Sequence, residues 1–432
     1  MTAKNAVFLW VLIGSLGLFV YSVRRLILHL KIGQPDNRFD NPLHRLKNVM
    51  IVAFGQSKLL REPVAGVMHF FIYWGFVVLL LAVLESIAEG AIPNFSPAFL
   101  GSSYRILLHV QEAFAVLVAV SVLVALFRRY ITRPKRLEVD FYGKLDATII
   151  LIMIFVIVTS MLGQNSTRAI LQAKDAYGFM GRTLIPLFSS MEWTQVQVWF
   201  EGFWWTHMLF VLGFLNYLPH SKHLHVLTSV PNVYFTSLKP PGALKPINLE
   251  AGGVEKFGAS DVEDLTWKQL LDGYTCTECG RCTAACPATT TGKVLDPRKI
   301  IVDIRRRLEE RGPVGNDRPV SATPEFEAQK TLLHNYITAD ELFACTTCMA
   351  CVQECPVNIE HVDAIVEMRR SLVLMESSFP PEVQIVFRNL ENNYTPWAFP
   401  ASARADWAEG MNVPTMASMA DADVLFWVGC AG

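Results

Sequence analysis

Long apolar stretches dominate the first half of the chain, whereas apolar and polar positions alternate more finely in the second half. Five stretches come close to the roughly 20 apolar residues that a helix needs to cross a membrane. They run from Ala6 to Tyr21, Gly66 to Leu84, Ile106 to Phe127, Ala147 to Leu162 and Phe200 to Leu218. We therefore predict five membrane-spanning helices. No small-residue cleavage pattern follows the first stretch, so we interpret it as a retained helix and not as a signal peptide.

Basic residues are unevenly distributed among the loops that join these stretches. Lys and Arg are frequent in residues 22–65 and 128–146, while residues 85–104 contain neither. Because cytoplasmic loops carry the excess of Lys and Arg, this alternation predicts an N-terminus outside and a cytoplasmic location for everything after Pro219. We expect residues 163–199 to run along the outer membrane interface.

The composition changes after the last apolar stretch. Residues 231–260 are rich in Pro and Gly, which is typical of a linker. Beyond it, "DVEDLTWKQLLDGY" and "DPRKIIVDIRRRLEER" have helical periodicity, and "GPVGNDRPVSATPE" indicates an exposed loop. We predict an all-α protein with a transmembrane domain (1–230), a linker (231–260), a cysteine-rich helical domain (261–375) and a connector (376–432).

Eight of the nine cysteines form two runs with the same spacing, C-x2-C-x2-C-x3-C-P. Paired quartets of this kind indicate metal ligation in a reducing compartment. Zinc ribbons are the alternative, but they need only four thiolates and give no reason for a third and fourth cysteine before a proline in both runs. We therefore favour iron–sulfur clusters. The first run holds Cys276, Cys279, Cys282 and Cys286, and the second holds Cys345, Cys348, Cys351 and Cys355.

Each run resembles the cysteine run of bacterial ferredoxins, in which the fourth cysteine reaches the other [4Fe-4S] cluster. The resemblance implies two crossed ligand sets. Cluster one would use Cys276, Cys279, Cys282 and Cys355, and cluster two would use Cys345, Cys348, Cys351 and Cys286.

Several histidines lie in or near the apolar stretches, where an ionisable side chain is costly and usually has a partner. Sorted by depth they form two layers: His69 with His220, His223 or His225 near the cytoplasmic face, and His109 with His207 near the outer face. Pairs of neutral imidazoles on helices are suited to holding haem. The alternative is that the histidines are interfacial or hydrogen-bonded inside the bundle.

Two carboxylates are candidates for proton transfer to a quinone. Glu112 follows His109 by three residues on the same predicted helix, so the two side chains are expected to share a face and handle quinone protons together. Glu85 is the second candidate, although its place near a helix end also fits a plain interfacial charge.

Two stretches resemble known membrane proteins. "HVLTSVPNVYF" is similar to the end of the membrane component of respiratory nitrate reductases, which implies that His225 binds a cytoplasmic-side haem b and His207 an outer one. That component has a second histidine ten residues after the position of His69, where this chain has Leu79, so an outer haem would depend on His109.

The longer stretch "GQSKLLREPVAGVMHFFIYWGF" is similar to fused membrane-haem and iron–sulfur proteins related to heterodisulfide reductase. These include the electron-transfer-flavoprotein:menaquinone oxidoreductases. The resemblance implies a nitrate-reductase-gamma-like bundle with one or two haems b, followed by an α-helical ferredoxin domain.

This resemblance implies an oxidoreductase of the bacterial or archaeal cytoplasmic membrane. Electrons would pass between an electron-transfer flavoprotein and menaquinone in the lipid bilayer through the two clusters and haem b. Two alternatives stay open: a heterodisulfide-reductase-like thiol–disulfide enzyme, and a non-catalytic component that joins a partner to the quinone pool. The formal net charge of −1 gives no indication of nucleic-acid binding.

The last residues, "DADVLFWVGCAG", have a strand pattern that runs into a Gly-Cys turn. In the heterodisulfide-reductase-like family this resembles the start of the CCG domain, whose several cysteines bind a catalytic cluster. Cys430 alone cannot form that site. We expect truncation, a separate gene for a CCG-domain partner, or a stop codon that is read as selenocysteine.

Overall fold

The computed structural model describes residues 2–93, 95, 97–138, 141–172, 178–250, 253, 255–312, 330–419 and 421–429 of the 432-residue chain. These residues form helices and turns, and their β-structure is limited to two isolated bridges. Five of the helices are long and apolar enough to cross a membrane. The prediction of an all-α protein with five membrane-spanning helices is confirmed.

The first part of the chain contains eight helices, of which α1, α3, α4, α5 and α7 are the candidate membrane spans. Their bounds are α1 Ala3–Leu30, α2 Pro42–Asn48, α3 Pro63–Ala91, α4 Ser102–Phe127, α5 Phe141–Gln172, α6 Phe179–Leu184, α7 Trp193–Tyr217 and α8 His225–Tyr234. Each span contains or overlaps a predicted apolar stretch, and each is longer than predicted.

Helix α5 shows why the apolar stretches underestimate the spans. Residues 163–199 were expected along the outer interface, but α5 continues through the first ten of them. Its polar side chains have partners there: Ser166 donates to a carbonyl one turn earlier, and Gln164 donates to Glu89 of α3. Because these groups are hydrogen-bonded inside the bundle, the helix tolerates polar residues that interrupt the apolar pattern.

The spans pack through small and branched side chains. Helices α3, α4 and α5 share a core that includes Ala115, Val118 and Val158. Gly75 of α3 faces Val118 so closely that a Cβ atom would lie 2.2 Å from the Val118 Cγ2 atom. A small residue is therefore required at this crossing, as is usual where membrane helices approach each other closely.

The second part of the chain is a helical module with its own core. Its helices are α9 Trp267–Thr275, α10 Arg281–Ala285, α11 Pro287–Thr290, α12 Pro297–Arg311, α13 Ala339–Phe343, α14 Ala350–Glu354, α15 His361–Leu374 and α16 Pro381–Asn393. The predicted periodicity of α12 is confirmed, since Ile300, Ile304 and Leu308 are buried in the core. The exposed loop predicted from "GPVGNDRPVSATPE" lies, after Gly312, outside the described residues.

The strand predicted near the C-terminus is wrong. Residues 424–428 have no regular structure, and the apolar side chains of residues 424–427 are exposed. A strand needs a neighbouring strand to satisfy its backbone groups, and the described part of the chain contains none. Cys430 lies outside the described residues.

Candidate iron–sulfur and haem sites

The two cysteine runs adopt the same backbone conformation. Glu278 and Thr347, at equivalent positions, both have φ of 55°, and Gly280 and Met349 have φ of 72° and 64°. Each run then enters a five-residue helix, α10 or α14. The repeated left-handed residues curve the backbone in the same way in both runs.

The thiols lie in two crossed sets. Set one is Cys276, Cys279, Cys282 and Cys355, and set two is Cys345, Cys348, Cys351 and Cys286. Burial, and then the proximity of Cys276, Cys355 and Cys279, raises the pKa of the Cys282 thiol. Burial, and then Cys345 followed by Cys286 and Cys348, raises the pKa of Cys351 to about 12. The structure therefore brings together the two sets of four that the ferredoxin resemblance implies.

The chemistry of each set fits a [4Fe-4S] cluster. Cys286, Cys345, Cys348 and Cys351 line one cavity together with prolines and aliphatic side chains. No three His, Cys, Asp or Glu side chains among the described residues converge as closely as one metal ion requires. The four thiols of set two surround this cavity, as needed when each thiolate binds a different iron atom of a cluster.

The two sets have different surroundings. In set two, Cys348 is exposed, as are the neighbouring Thr346 and Thr347. In set one, Cys276, Cys282 and Cys355 are all buried. Set two is therefore open to the surroundings at Cys348, whereas no cysteine of set one is exposed.

Set one faces the membrane helices. The Lys58 ammonium lies 3.2 Å from the carbonyl oxygen of Cys355, and an Arg136 Nη1 atom lies 3.3 Å from that of Cys279. Both cations belong to loops between membrane spans. Arg305 of α12 donates to the carbonyl oxygen of Cys276 at 3.0 Å. Three of the candidate ligands thus have backbone oxygens held by cationic side chains.

The rings of His69 and His225 face each other as a pair. Their ring centres are 6.4 Å apart and the ring planes are inclined at 39°. The Nδ1 atom of His69 is 3.1 Å from Gln56 Oε1, and that of His225 is 3.0 Å from the Lys222 carbonyl oxygen. These acceptors fix the Nδ1–H tautomer and leave each Nε2 atom available as a ligand.

This pair fits axial ligation of haem. Two metal–nitrogen bonds of about 2 Å place the centres of opposed imidazoles roughly 6 Å apart. Burial lowers the pKa of His225, which favours the neutral ring that binds metal. The depth of the three histidines along the chain left the choice among them open, and the nitrate-reductase resemblance implied His225. The structure sets His225 opposite His69, with the His223 ring 5.0 Å from that of His225, while His220 lies 3.3 Å from Ser22 Oγ.

The outer histidines are placed differently from each other. His207 is buried, its Nδ1 atom lies 2.9 Å from the Ile157 carbonyl oxygen, and its Nε2 atom has no partner among the described residues. His109 is exposed, and its Nδ1 atom lies 2.7 Å from the carbonyl oxygen of Arg105 in its own helix. His207 therefore has the surroundings of a ligand, and a joint role with His109 stays a prediction.

Glu112 is fully buried and forms several hydrogen bonds. It accepts from Asn165 Nδ2 at 3.2 Å and from the backbone N–H groups of Met180 and Gly181 at 2.8 and 3.2 Å. These bonds hold the start of α6 against α4. Glu112 and His109 do not share an environment as expected from their spacing, because one side chain points into the bundle and the other is exposed.

Glu85 belongs to a buried ion-pair network near the opposite end of α3 from His69. Arg168 of α5 contacts Glu85 at 3.2 Å and Glu89 at 2.8 Å, and Tyr104 donates to Glu85. The side chain of Glu85 is 12% exposed, so it is not the plain interfacial charge considered above. Sequence reasoning missed Arg168 because it lies beyond the predicted end of the fourth apolar stretch.

The fold and the thiol sites define a membrane-spanning helical protein with an iron–sulfur domain. In agreement, the family described as a 4Fe-4S dicluster domain matches residues 275–359. No solved structure matches the chain.

Curated relatives extend this class to the membrane part. The chain is 32% identical to the "Probable iron-sulfur-binding oxidoreductase FadF" of Bacillus subtilis, over 100% of this chain and 65% of the relative. It is 31% identical to the "EtfAB:quinone oxidoreductase" of Syntrophomonas wolfei, over 91% and 59%. It is 28% identical to one component of the dihydromethanophenazine:CoB–CoM heterodisulfide reductase of Methanosarcina mazei, over 41% of each chain.

The chain is thus similar to iron–sulfur oxidoreductases related to heterodisulfide reductase, in agreement with the resemblance seen in the sequence. It spans 65% and 59% of the lengths of the first two relatives.

Proposed function

We propose that the protein is a membrane-bound oxidoreductase that transfers electrons between a soluble donor and menaquinone through two [4Fe-4S] clusters and haem b. One observation carries the proposal: Cys348 of set two is exposed, the backbone of set one is contacted by Lys58 of the loop before α3, and Gln56 of that same loop contacts His69 of the His69–His225 pair. This order suits stepwise transfer between a soluble partner and the lipid phase.

Each group of residues has a role in this proposal. Thiol set one holds cluster one, thiol set two holds cluster two, and His69 with His225 holds haem b. When bound, these groups supply one-electron carriers. The protein orients them and excludes water, for example through the Nδ1 hydrogen bonds of His69 and His225. His207 and His109 are the proposed ligands of a second haem.

The soluble partner would dock where set two is open. Four uncharged residues are exposed there: Pro287 and Thr346 line the cavity, while Val294 and Thr347 adjoin lining residues in sequence. We call these four residues the rim. Uncharged side chains cost little to desolvate when a partner covers them. The name of the Syntrophomonas relative supports an electron-transfer flavoprotein as this partner.

Reduction of a quinone requires protons as well as electrons. Glu85 and Glu112 stay the proposed proton-transfer groups, since both lie in the half of the bundle remote from the clusters. Glu112 would work only with its backbone partners in place, and Glu85 would work beside Arg168.

The orientation proposed from loop charges has structural support. Lys58 and Arg136 belong to the basic loops that the charge rule assigns to the cytoplasm, and both contact the cysteine runs. The iron–sulfur module and the basic loops therefore lie on the same side. We propose that this side is the cytoplasm and that the N-terminus lies outside.

Spectroscopy of the purified protein tests the proposal. We expect a b-type haem absorbance, with iron and labile sulfide for two clusters. His69→Ala or His225→Ala should abolish the absorbance of this haem and leave cluster signals intact, whereas His44→Ala, at an exposed position, should change neither. A protein that contains zinc and lacks iron, or variants that keep the full haem absorbance, would refute the cofactor assignment.

The relation to the Methanosarcina heterodisulfide reductase favours a second candidate, thiol–disulfide chemistry with a CCG-domain protein as partner. Reduction of the purified protein by an electron-transfer flavoprotein, followed by quinone reduction, would exclude this alternative. Reduction only by a CCG-domain protein in the presence of a disulfide or dithiol substrate would support it.

A further inference from the structure

The two cysteine runs differ in the residues between their second and third cysteines. Run one has Gly280 and Arg281 there, and run two has Met349 and Ala350. Run one meets the membrane part at both residues: a Cβ atom on Gly280 would lie 2.2 Å from the Arg136 carbonyl oxygen, and Arg281 is only 5% exposed. Because the two runs share a backbone conformation, the different residues at these two positions reflect the contacts that run one makes with the membrane part.

The guanidinium of Arg281 holds the turn that precedes α3. Its Nη1 atom donates to the Lys58 carbonyl oxygen at 2.9 Å and its Nη2 atom to that of Leu59 at 3.3 Å. Its Nε atom is 3.4 Å from the Glu62 carboxylate. A planar guanidinium with three such partners fixes the position of a backbone segment more tightly than an ammonium would.

We call residues 56–62 the bridging segment, because its other contacts reach both cofactor sites. Gln56 Oε1 lies 3.1 Å from His69 Nδ1. Lys58 Nζ lies 3.2 Å from the carbonyl oxygen of Cys355. Glu62 stands directly before α3, the helix that carries His69. The segment therefore touches a candidate ligand of cluster one on one side and a candidate haem ligand on the other.

We infer that Arg281 is a positioning residue, which clamps the bridging segment and so fixes the separation of cluster one and the haem held by His69. This inference rests on the proposed function. In the step concerned, one electron leaves the reduced cluster and converts ferric haem iron to ferrous, and no bond or proton is exchanged. The rate of such a transfer falls as the distance between the two groups grows, so loss of the clamp would slow it.

The test compares Arg281→Met, Arg281→Lys and the control Arg306→Met, which removes a 68% exposed arginine from the same module. Each fully reduced holoprotein in detergent is mixed with a short-chain menaquinone. Haem oxidation is followed by absorbance and cluster oxidation by freeze-quench electron paramagnetic resonance. For Arg281→Met we expect normal haem oxidation but cluster oxidation slower by several-fold. Arg281→Lys should be intermediate, and Arg306→Met should match the wild type.

A second readout reports the geometry without turnover. A nearby paramagnetic haem accelerates the spin relaxation of a reduced cluster, and we expect this acceleration to weaken in Arg281→Met. If the spin relaxation of the cluster and its rate of oxidation are both unchanged in Arg281→Met, with both cofactors present, the positioning role of Arg281 is overturned and the proposed function stands. If Arg281→Met does not assemble its clusters, wild-type rates in Arg281→Lys would overturn it equally. A wild-type protein without haem would instead overturn the proposed function, and this inference with it.

Discussion

Gly280 shows how little space separates the cysteine run from the membrane part. Its φ of 72° lies in the left-handed region, and a Cβ atom would collide with the Arg136 carbonyl oxygen. Met349 has nearly the same φ with a full side chain, so the conformation itself tolerates a side chain. The need for glycine at residue 280 comes from the close approach of the loop.

We therefore expect Gly280→Ala to lower the free energy of unfolding by about 1–3 kcal/mol, since a steric clash with the Arg136 carbonyl oxygen opposes the added methyl group. Met349→Ala is the matched control and should change it by less than about 1 kcal/mol. Denaturant titration of the two variants in detergent checks this. Equal denaturation midpoints for the two variants would show that the loop containing Arg136 moves away from residue 280 without loss of stability.

The candidate ligands were predictable to different degrees. The spacing of the two runs indicated metal ligation, and the crossed thiol sets were implied by the resemblance to bacterial ferredoxins. The choice of His225 over its neighbours His220 and His223 came from the nitrate-reductase resemblance, since depth along the chain did not distinguish the three, and the structure sets the His225 ring opposite His69. Arg281 was missed because its partners lie more than two hundred residues away in sequence.

Among the elements, helix α9 joins the module to the rest of the chain through buried charges. Lys268 of α9 is fully buried, 2.7 Å from Asp272 and 3.9 Å from Glu360. Glu360 also accepts two hydrogen bonds from Arg38, which follows α1. This network links α9, the segment after run two and the first cytoplasmic loop of the proposed topology.

Removal of the Lys268 charge should be costly, since it leaves a buried Asp272 without its closest cation. We expect Lys268→Met to lower the free energy of unfolding by about 3–5 kcal/mol. Arg311→Met removes an ion pair with Glu263 that is more exposed and should cost no more than about 1 kcal/mol. The shift in denaturation midpoint at constant m-value measures both. Equal shifts would mean that the buried network contributes little.

The helices themselves were predicted better than their ends. Apolar runs located all five spans, because the lipid core selects for length and hydropathy. They missed the last ten residues of α5, where buried side chains such as Gln164 and Arg168 pair with α3. The strand predicted for residues 424–428 failed because an apolar run alone does not supply a partner strand.

At the scale of the whole molecule, the proposal places the entry of electrons at the rim. Val294 is 65% exposed there. We expect Val294→Glu to lower the second-order rate of reduction by the soluble donor by about tenfold, because a charge would be desolvated on docking. Electron transfer within the protein should be unchanged. Val413→Glu, at another exposed valine, is the control. Equal rates in both variants would place the docking surface elsewhere.

Helix α8 has a consequence for how the two parts of the molecule move. His225 stands at its beginning, and Asn232, near its end, donates to Asp272 and to the Val357 carbonyl oxygen at 2.9 Å each. A single short helix thus carries a proposed haem ligand at its beginning and contacts the iron–sulfur module near its end. In the proposed function, the module would therefore pass electrons without moving relative to the membrane helices, and the rate of transfer between cluster one and the haem should not depend on solvent viscosity.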